Sequence, residues 1–426
     1  MKAKKEVTRR QFLAASAAAV AAPMILPQGV LAMNGRPGAN DRIVTGHIGV
    51  GGQGKGLLGF FKDNAGMLCD ADSNQLVQTQ KMLGRELPTC KDYREILDRK
   101  DIDAVVIATP DHWHGVQAVQ ACEAGKDVYC EKPASRTIEE GQAMMKAVRR
   151  YGRVMQIGSQ GRSTVAAQAA FNFIRNGQLG DISRVDCWHV NNWVGGDPTL
   201  TGPAPAELDW DLWLGPSRWV PYNPDRVHFN FRWMLDFGDG FIRDRGAHVF
   251  SVLNYVMDLD LKAPYRVTAT GQRPISGLWD VPTTFEATFE YKNPDLIVTW
   301  KQPGDRAADH DFGAVYHGSK DTLIVRGGDG GTYTEDKALN YVPPTDGQHA
   351  FKSPGHHQNF LDSIKSRKDP VMTIEAGHRV ATQCNLAAIS YKLGRPIEWD
   401  VATERFINDD EANALLGNPG RGPWHI

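Results

Sequence analysis

The sequence lacks the patterns that mark several classes of protein. Its six cysteines are scattered over 426 residues without CxxC or mixed His/Cys spacing, so we expect buried thiols and neither a disulfide framework nor a zinc site. No run of lysine or arginine lies beyond the first few residues, and the formal net charge is -2. A nucleic-acid partner and a metal centre are therefore not expected.

The first 32 residues resemble a twin-arginine export signal. Lysines come first, Thr8–Leu13 contains the arginine pair, and an alanine-rich apolar stretch follows. Residues Val30–Ala32 suit a signal peptidase, so we predict a mature chain from about Met33, an N-terminal arm at 33–42 and a periplasmic or secreted location. A short membrane anchor and a chance basic start are the alternatives, but the stretch is short for a spanning helix, and we expect no membrane span in the mature chain.

A glycine-rich turn follows the first apolar strand of the mature chain. Residues 43–50 form a predicted strand that runs into Gly49–Gly54, and a helical pattern comes next. Glycines let such a turn approach a pyrophosphate, and the helix N-terminus offers free N–H groups to the phosphates. A second strand ends at Asp70, at the spacing of a carboxylate that binds ribose hydroxyls, which favours NAD over NADP. Asp70 as an ordinary helix N-cap is the alternative.

Further apolar strands follow at the spacing of βαβ units. They are predicted over 104–108, 126–130 and 153–157, with helical patterns between them. Such strands are typical of a parallel sheet covered on both faces, which binds its ligand at the carboxyl ends of the strands. The segments at these ends supply the residues that we expect to hold the dinucleotide: Gly49, Gly51, Gly52, Gln53, Gly54, Asp70, Thr109, Pro110, His114, Glu131, Lys132 and Gln160.

Three features together resemble the Gfo/Idh/MocA family of oxidoreductases. They are the glycine turn at Gly49–Gly54, the segment Ala108–Pro110 with His114, and the sequence Glu131–Pro133 after a buried strand. The resemblance implies that Lys132, in the last of these, lies beside the nicotinamide and the substrate. A surface charge pair at a helix start would be the alternative, but it does not explain the position behind a buried strand.

The resemblance also implies a fold class. We expect an α/β protein in which an N-terminal Rossmann dinucleotide-binding domain, residues 43–161, precedes a C-terminal α/β domain, residues 162–426, with a large, open and mostly antiparallel sheet. Strand patterns in the second half agree, and they recur at 182–189, 265–271, 283–291, 296–301, 314–317 and 322–326. Family members generally pair through this sheet, so a homo-oligomer, a dimer or tetramer, is expected.

One segment of the second half, Gly238–His248, is rich in reactive side chains. Asp244 and His248 are four residues apart, share a helical face, and match the DxGxH motif of the family. The resemblance implies that His248 acts as base or acid, that Asp244 binds or orients a hydroxyl, and that Lys132 stabilises a developing alkoxide. An N-capping aspartate with a buried histidine is the alternative. Ser251 stands where the family often has aspartate, so no role is carried over to it.

The segment before this motif is rich in tryptophan. Six of the eleven tryptophans lie between residues 188 and 233, beside amides and histidines, and flat aromatic faces with adjacent amides suit sugar rings. A core or interface role is equally expected for any single ring. The side chains predicted to bind substrate are Trp188, His189, Asn192, Trp193 and Arg243.

These features predict an exported NAD(P)-dependent oxidoreductase that transfers a hydride from a sugar, glycoside or polyol hydroxyl. Free NAD is not expected outside the cytoplasm, so the cofactor would be tightly bound. The alternative is a redox-neutral NAD-dependent glycosidase or lyase with a 3-keto intermediate, which needs an added base such as Tyr255, Tyr265, His228 or His189. A non-catalytic sugar-binding relative is a third hypothesis, and the intact Lys132, Asp244 and His248 argue against it.

Overall fold

The computed structural model describes residues 42–304 and 311–426. The predicted export signal and nearly all of the predicted arm at 33–42 lie outside the described residues, so both stay predictions. Within the described ranges, no helix has the length and apolar character needed to cross a membrane.

The first half of the described chain forms a sheet of six parallel strands in the order β3-β2-β1-β4-β5-β6. The chain winds outward from β1 in one direction and from β4 in the other, so the carboxyl ends of these two central strands flank the crevice where such sheets bind ligands. The predicted parallel sheet is therefore confirmed, and only the short β3 was not foreseen. The strands are β1 (Thr45–Ile48), β2 (Ala65–Cys69), β3 (Thr89–Cys90), β4 (Ala104–Ile107), β5 (Asp127–Glu131) and β6 (Met155–Gly158).

Helices connect these strands and cover the sheet. The longest of them begins with a capping box, in which the Thr137 hydroxyl accepts from the Glu140 N–H and the Glu140 carboxylate accepts from the Thr137 N–H. The helices are α1 (Gly52–Phe61), α2 (Ser73–Leu83), α3 (Arg94–Leu97), α4 (His114–Glu123) and α5 (Ile138–Tyr151), with 3₁₀ helices at Asp111–Trp113 and Gln160–Ser163.

The second half forms a larger sheet, with nine strands in the described residues, in the order β13-β12-β11-β7-β10-β9-β8-β14-β15. Only the β7–β10 pair is parallel among its described pairings, which confirms the mostly antiparallel sheet. The strands are β7 (Ile182–His189), β8 (Arg266–Gln272), β9 (Thr284–Tyr291), β10 (Leu296–Gln302), β11 (Phe312–Gly318), β12 (Thr322–Arg326), β13 (Tyr333–Thr334), β14 (Ile397–Asp400) and β15 (Arg405–Phe406).

Helices of the second half pack against this sheet and reach back to the first half. Helix α12 packs against α5, and the Trp424 ring lies 4.9 Å from that of Trp113. The helices are α6 (Val165–Arg175), α7 (Trp210–Leu214), α8 (Phe241–Asp244), α9 (Gly246–Met257), α10 (Asp336–Leu339), α11 (His356–Ser366), α12 (Ile374–Leu393) and α13 (Asp410–Asn413), with 3₁₀ helices at Pro224–Arg226 and His228–Trp233.

The predicted boundary between residues 161 and 162 falls between the two sheets, after β6 and before β7. Residues Val44–Ile426 nevertheless form one compact unit. The boundary therefore marks a change of sheet, and its use as a domain limit stays a prediction.

Candidate active site

A cleft with about 1280 Å³ of empty space, part of it open solvent, lies at the carboxyl ends of the parallel strands. Its first wall comes from the loops after β1, β2, β4 and β5. Its second wall comes from helix α7, the 3₁₀ helix at His228–Trp233 and Asp244. The residues that line it include Gly49, Gly51, Gly52, Gln53, Asp70, Thr109, Pro110, Asp111, Trp113, Glu131, Lys132, Trp213, His228, Phe229, Phe231, Arg232 and Asp244.

The glycine turn has the shape that a pyrophosphate needs. Gly49 has φ +82°, and a Cβ there would lie 2.8 Å from the backbone of Ala108. A Cβ on Gly54 would lie 2.0 Å from the Gly49 carbonyl oxygen, so this glycine allows helix and turn to pack closely. A Cβ on Gly52 would meet nothing within 4 Å, and α1 begins there without a side-chain cap. Open space thus lies before free helix N–H groups, which fits a dinucleotide phosphate.

Asp70 follows β2 and lies against the glycine turn. One carboxylate oxygen accepts from the Val50 N–H at 2.9 Å, and the other accepts from the Asp72 N–H at 3.0 Å. Burial raises the pKa of Asp70, while these two hydrogen bonds act in the opposite direction. Each oxygen keeps a further lone pair for a ribose hydroxyl. The N-cap of α2 is Asp72, so the N-cap alternative for Asp70 is wrong.

Glu131 links the glycine-turn helix to the end of β6. Its Oε1 accepts from the side-chain amides of Gln53 at 3.0 Å and Gln160 at 2.9 Å, and its Oε2 accepts from the Lys132 N–H at 3.2 Å. Burial raises the pKa of Glu131. Gln53 lines the cleft with Glu131, whereas Gln160 supports the carboxylate from behind. The network fixes the loop that carries Lys132.

His114 holds two of the cleft loops together. Its ring nitrogens lie 2.8 Å from the Pro133 carbonyl oxygen and 2.9 Å from that of Thr109. Burial lowers the pKa of His114. Because the ring is buried and does not line the cleft, the geometry favours a positioning role over contact with the cofactor.

Lys132 and Asp244 form an ion pair in the cleft. Lys132 Nζ lies 2.6 Å from Asp244 Oδ1 and 3.1 Å from the Asp244 carbonyl oxygen. Arg232 Nε lies 3.2 Å from Asp244 Oδ1, and Arg245 Nε lies 3.7 Å from Oδ2. Burial alone would raise the pKa of Asp244, but these three cations hold it well below its usual range. The carboxylate therefore stays ionised near neutral pH.

His248 lies behind this pair. It is buried on α9 and does not line the cleft, and Nδ1 of its ring has no hydrogen-bond partner among the described residues. Burial, and then the charge of Lys132, lower the pKa of His248. The motif thus brings His248 near Lys132 and Asp244, while the side chains facing the cleft are the lysine and the aspartate.

Two family models match the two halves of the sequence. The oxidoreductase family model for the NAD-binding Rossmann fold matches residues 45–159, and the Gfo/Idh/MocA model for the C-terminal alpha/beta domain matches residues 181–426. The chain belongs to the Gfo/Idh/MocA oxidoreductase family. This Gfo/Idh/MocA oxidoreductase binds NAD in its first half, and the glycine turn and Asp70 have the geometry for it.

Curated relatives match parts of this Gfo/Idh/MocA oxidoreductase. Levoglucosan dehydrogenase of Pseudarthrobacter phenanthrenivorans is 36% identical over 127 residues, which cover 30% of this chain and 32% of the relative. Glycosyl hydrolase family 109 protein 2 of Shewanella sp. strain ANA-3 is 31% identical over 166 residues, 35% of this chain and 36% of the relative. The scyllo-inositol 2-dehydrogenase (NAD(+)) of Bacillus subtilis is 31% identical over 137 residues, 30% of this chain and 40% of the relative. The aligned part spans about a third of these relatives.

Solved structures share the fold. The WlbA dehydrogenase of Bordetella pertussis, in complex with NADH and UDP-GlcNAcA, superposes with a TM-score of 0.62 at 18% identity and covers 84% of this chain and 98% of that one. Levoglucosan dehydrogenase, in complex with NADH and levoglucosan, gives a TM-score of 0.59 at 20% identity, with 84% and 99% covered.

The five side chains predicted to contact substrate do not line this cleft in the described part of the chain: Trp188, His189, Asn192, Trp193 and Arg243. His189 stacks 3.9 Å from the Phe241 ring. The Asn192 side chain donates from Nδ2 to the Pro282 carbonyl oxygen and accepts at Oδ1 from the Phe241 N–H. Arg243 is 0% exposed and donates to the carbonyl oxygens of Ser135 and Arg136. The geometry gives these three residues packing roles, and a substrate role for any of the five stays a prediction.

The cleft instead contains side chains that were not predicted from the sequence to bind substrate or cofactor. Asp111, Phe229 and Arg232 line it, and His228 was considered only as an added base. Asp111 could have been predicted to line the cleft, because it follows the carboxyl end of a predicted strand. The residues from His228 to Arg232 carry no motif, and only the fold brings them to the loops of the first sheet.

Proposed function

We propose that this chain is an exported NAD-dependent oxidoreductase that oxidises a hydroxyl of a sugar or glycoside and retains its cofactor during turnover. The observation that carries the proposal is that the Lys132–Asp244 ion pair and the glycine turn line one cleft. Binding of NAD and the reaction centre therefore share a single space, as hydride transfer requires.

The residues of this cleft would have separate roles in binding NAD and in the oxidation. The glycine turn and the N-terminus of α1 would hold the pyrophosphate, and Asp70 the ribose. When bound, the oxidised nicotinamide supplies the hydride acceptor. Lys132 stabilises the negative charge that develops on the hydroxyl oxygen as its proton leaves, and Asp244 orients the ammonium group. Because Asp244 stays ionised beside three cations, it is a poor proton acceptor; His248 is the acceptor predicted from the motif.

A sugar-like substrate is supported by the relatives and by the cleft. Two relatives carry the names levoglucosan dehydrogenase and scyllo-inositol 2-dehydrogenase. Besides Tyr93, four aromatic residues line the cleft, and the faces of such rings suit the C–H faces of sugars. These residues are Trp113, Trp213, Phe229 and Phe231.

Retention of the cofactor is supported by a covering segment, residues 207–233, that crosses the end of β2. The Glu207 carbonyl oxygen accepts from the Ser73 N–H at 3.1 Å and from Lys91 Nζ at 2.9 Å. The Asp209 N–H donates to the Ala71 carbonyl oxygen at 2.9 Å, and His228 Nε2 lies 3.1 Å from Asp72 Oδ2. These contacts fasten the segment to Ala71–Ser73, directly after Asp70, and to Lys91 after β3, so the segment would restrict the exit of NAD from this end of the cleft.

Export is supported by the twin arginines at Arg9 and Arg10 and by the apolar stretch after them. Changing both arginines to lysine should leave the precursor in the cytoplasm, while single Lys4→Arg should not alter export. Equal amounts of wild-type and double-variant protein in the periplasm would contradict the export proposal without affecting the enzymatic one.

The first experiment is to denature purified protein and assay the supernatant for NAD(H) and NADP(H). Native protein is then incubated with levoglucosan, scyllo-inositol and simple glycosides, with and without added NAD. Near-stoichiometric NAD(H) together with oxidised product supports the proposal. A protein that contains no nicotinamide and does not bind NAD or NADP when either is supplied would refute it.

A redox-neutral glycosidase is the second candidate function, and the match to a glycosyl hydrolase family 109 protein supports it. In that reaction the sugar is oxidised at C3, loses its aglycone and is reduced again. Of the four added bases predicted, His228 lines the cleft, whereas Tyr255, Tyr265 and His189 do not. Release of p-nitrophenol from p-nitrophenyl glycosides without net change in NADH absorbance would favour this candidate over a dehydrogenase.

A further inference from the structure

Arg243 is a buried arginine of α8 that holds the loop after β5. Its side chain is 0% exposed and does not line the cleft in the described part of the chain. The guanidinium group donates to the Ser135 carbonyl oxygen at 2.8 Å and to the Arg136 carbonyl oxygen at 3.0 Å. These two residues follow Lys132 by three and four positions. Arg243 thus binds the backbone of the loop that carries Lys132 to the cleft.

Asp239 joins Arg243 to a second arginine, on the loop itself. Asp239 Oδ2 lies 3.1 Å from Arg243 Nη2 and 2.8 Å from Arg136 Nη1. Arg136 also donates to the Leu235 carbonyl oxygen. The two segments therefore hold each other in both directions, since each contributes an arginine that binds the backbone of the other. Because a guanidinium group is a rigid planar fork, such contacts fix orientation as well as distance.

Arg243 and Asp244 are consecutive residues that contact the same loop in different ways. Asp244 binds the ammonium group of Lys132 at 2.6 Å, at the end of a flexible side chain. Arg243 instead holds the backbone from which that side chain extends. The ion pair alone would leave the ammonium group several positions, and the backbone contacts reduce them. Hydride transfer depends on such placement, because an error of about 1 Å costs about 10²-fold in rate.

We propose that Arg243 is a positioning residue for the oxidation. By holding the carbonyl oxygens of Ser135 and Arg136, it fixes the ammonium group of Lys132 at the oxygen atom on which negative charge develops. Arg243 transfers no proton in this role and acts through Lys132. The role differs from the substrate contact predicted for Arg243 from the sequence, and it rests on the proposed function.

The test compares Arg243→Lys in two backgrounds, the wild type and Lys132→Met. Lysine keeps a positive charge beside Asp239, but one ammonium group cannot replace a fork that reaches two carbonyl oxygens and a carboxylate together. If Arg243 acts through Lys132, its replacement matters only where Lys132 is present. Single-turnover formation of NADH at saturating NAD, on the panel of levoglucosan, inositol and glycosides, gives the rate even in slow variants.

We expect Arg243→Lys to lower this rate about 10–100-fold in the wild-type background and less than about threefold in the Lys132→Met background. The KM for the sugar should change less than about threefold, because Lys132 acts on charge that develops in the transition state. The Kd of NAD, measured by quenching of tryptophan fluorescence, should stay equally close to the wild-type value.

Acetylation of Lys132 reports on its placement without any turnover. Its side chain is 11% exposed and ion-paired, whereas Lys146 on α5 is exposed. Acetic anhydride should therefore modify Lys132 more slowly than Lys146 in the same sample, as measured by mass spectrometry of peptides. In Arg243→Lys the ratio of the Lys132 rate to the Lys146 rate should rise about threefold or more, because fewer contacts hold the loop in place.

Arg162→Lys is the matched control, since Arg162 is also a fully buried arginine. Its side chain is 1% exposed and donates to Ser251 Oγ at 2.9 Å and to Asp260 Oδ2 at 2.7 Å, and it does not line the cleft. This change should lower the melting temperature, as Arg243→Lys does. The rate of NADH formation and the acetylation of Lys132 should stay within about twofold of the wild type, because the contacts of Arg162 do not include the Lys132 loop.

Asp239→Asn is a second variant, for use if Arg243→Lys does not fold. It removes the charge that joins the two arginines, and asparagine suits the φ of +60° at this position. The same comparison of backgrounds applies to it, with the same expected difference.

Equal fold losses in the wild-type and Lys132→Met backgrounds overturn the inference, because they show that Arg243 acts independently of Lys132. A normal rate in Arg243→Lys, an unchanged acetylation ratio, or an equal loss of rate in Arg162→Lys also overturns it. If the wild type reduces no NAD on any substrate of the panel, the proposed function fails, and the acetylation ratio alone then decides whether Arg243 fixes Lys132.

Discussion

The ammonium group of Lys132 lies 2.6 Å from Oδ1 of Asp244, and this pair joins the loop after β5 to helix α8 of the second half. Arg232 and Arg245 approach the same carboxylate at 3.2 Å and 3.7 Å. A single anion thus gathers three cations at the wall of the cleft. Because the carboxylate keeps two cations when one is removed, the catalytic and structural contributions of Lys132 can be separated.

Replacing Lys132 with methionine tests the proposed alkoxide stabilisation. We expect kcat to fall by about 10²–10³-fold, since a charge preorganised at the reacting oxygen contributes about that much. The protein should fold and bind NAD, because Arg232 and Arg245 still pair with Asp244. Lys146→Met, at an exposed position of α5, is the control. Normal kcat in Lys132→Met would show that Lys132 is structural.

Alanine substitutions at three glycines of helix α1 distinguish effects on NAD affinity from effects on the free energy of unfolding. In Gly52→Ala, the new methyl group enters open space at the cleft, so the NAD Kd should rise at least tenfold with little change in the free energy of unfolding. In Gly54→Ala, it meets the Gly49 carbonyl oxygen, and we expect a loss of about 1–3 kcal/mol. Gly56→Ala meets nothing within 4 Å and should stabilise the helix by about 0.5–1 kcal/mol. Urea unfolding and NAD titration measure these effects, and equal NAD binding in Gly52→Ala and Gly56→Ala would contradict the assignment.

Replacing Phe229 with alanine tests whether the aromatic wall of the cleft binds the sugar. Its ring is half exposed, lines the cleft, and lies 4.2 Å from the Arg232 guanidinium. Truncation in Phe229→Ala should raise KM for the sugar about five- to tenfold, because one stacking face and part of the support of Arg232 are lost. Trp219→Ala removes a similarly exposed aromatic ring outside the cleft and should leave KM unchanged. Steady-state kinetics at saturating NAD measure KM for the sugar in both variants. An equal rise in KM in Phe229→Ala and Trp219→Ala would point to a general loss of stability.

The sequence predicted the first sheet well because its signals are local. Each strand is a short apolar run, and the glycine turn, Asp70 and Lys132 follow strand ends, where an open parallel sheet brings its ligands together. Short strands such as β13 and β15 were missed because two residues carry no periodicity. Their pairing depends on neighbours that are distant in sequence.

The second wall of the cleft could not be predicted because its residues are chosen by tertiary packing. Trp188 and His189 lie on β7, where alternation settles which face each side chain takes, and both are buried in the second half. Phe229 and Arg232 reach the cleft because the covering segment at 207–233 is fastened to the loop after β2. No local sequence pattern distinguishes Phe229, in the cleft, from the aromatic residues of the core.

The pKa of Asp111 also predicts how stability depends on pH, independently of catalysis. Its folded-state pKa of about 7 lies above the ordinary value of 3.8, so the folded protein binds this proton more tightly than the unfolded chain does. The stabilisation is therefore complete below the ordinary value and is lost as the pH rises through about 7. Glu140 also has a pKa raised to about 7 by burial, so the wild-type profile alone cannot isolate Asp111.

The difference in melting temperature between Asp111→Asn and wild type removes the shared contribution of Glu140. Measured at constant NAD concentration, this difference should become more positive as the pH is raised from 4 to 8, because the variant has no carboxylate to ionise at the buried site. Asp98→Asn, at an exposed aspartate outside the cleft, is the control variant. A flat profile for Asp111→Asn would mean that burial does not raise the pKa of the Asp111 carboxyl group in the folded protein.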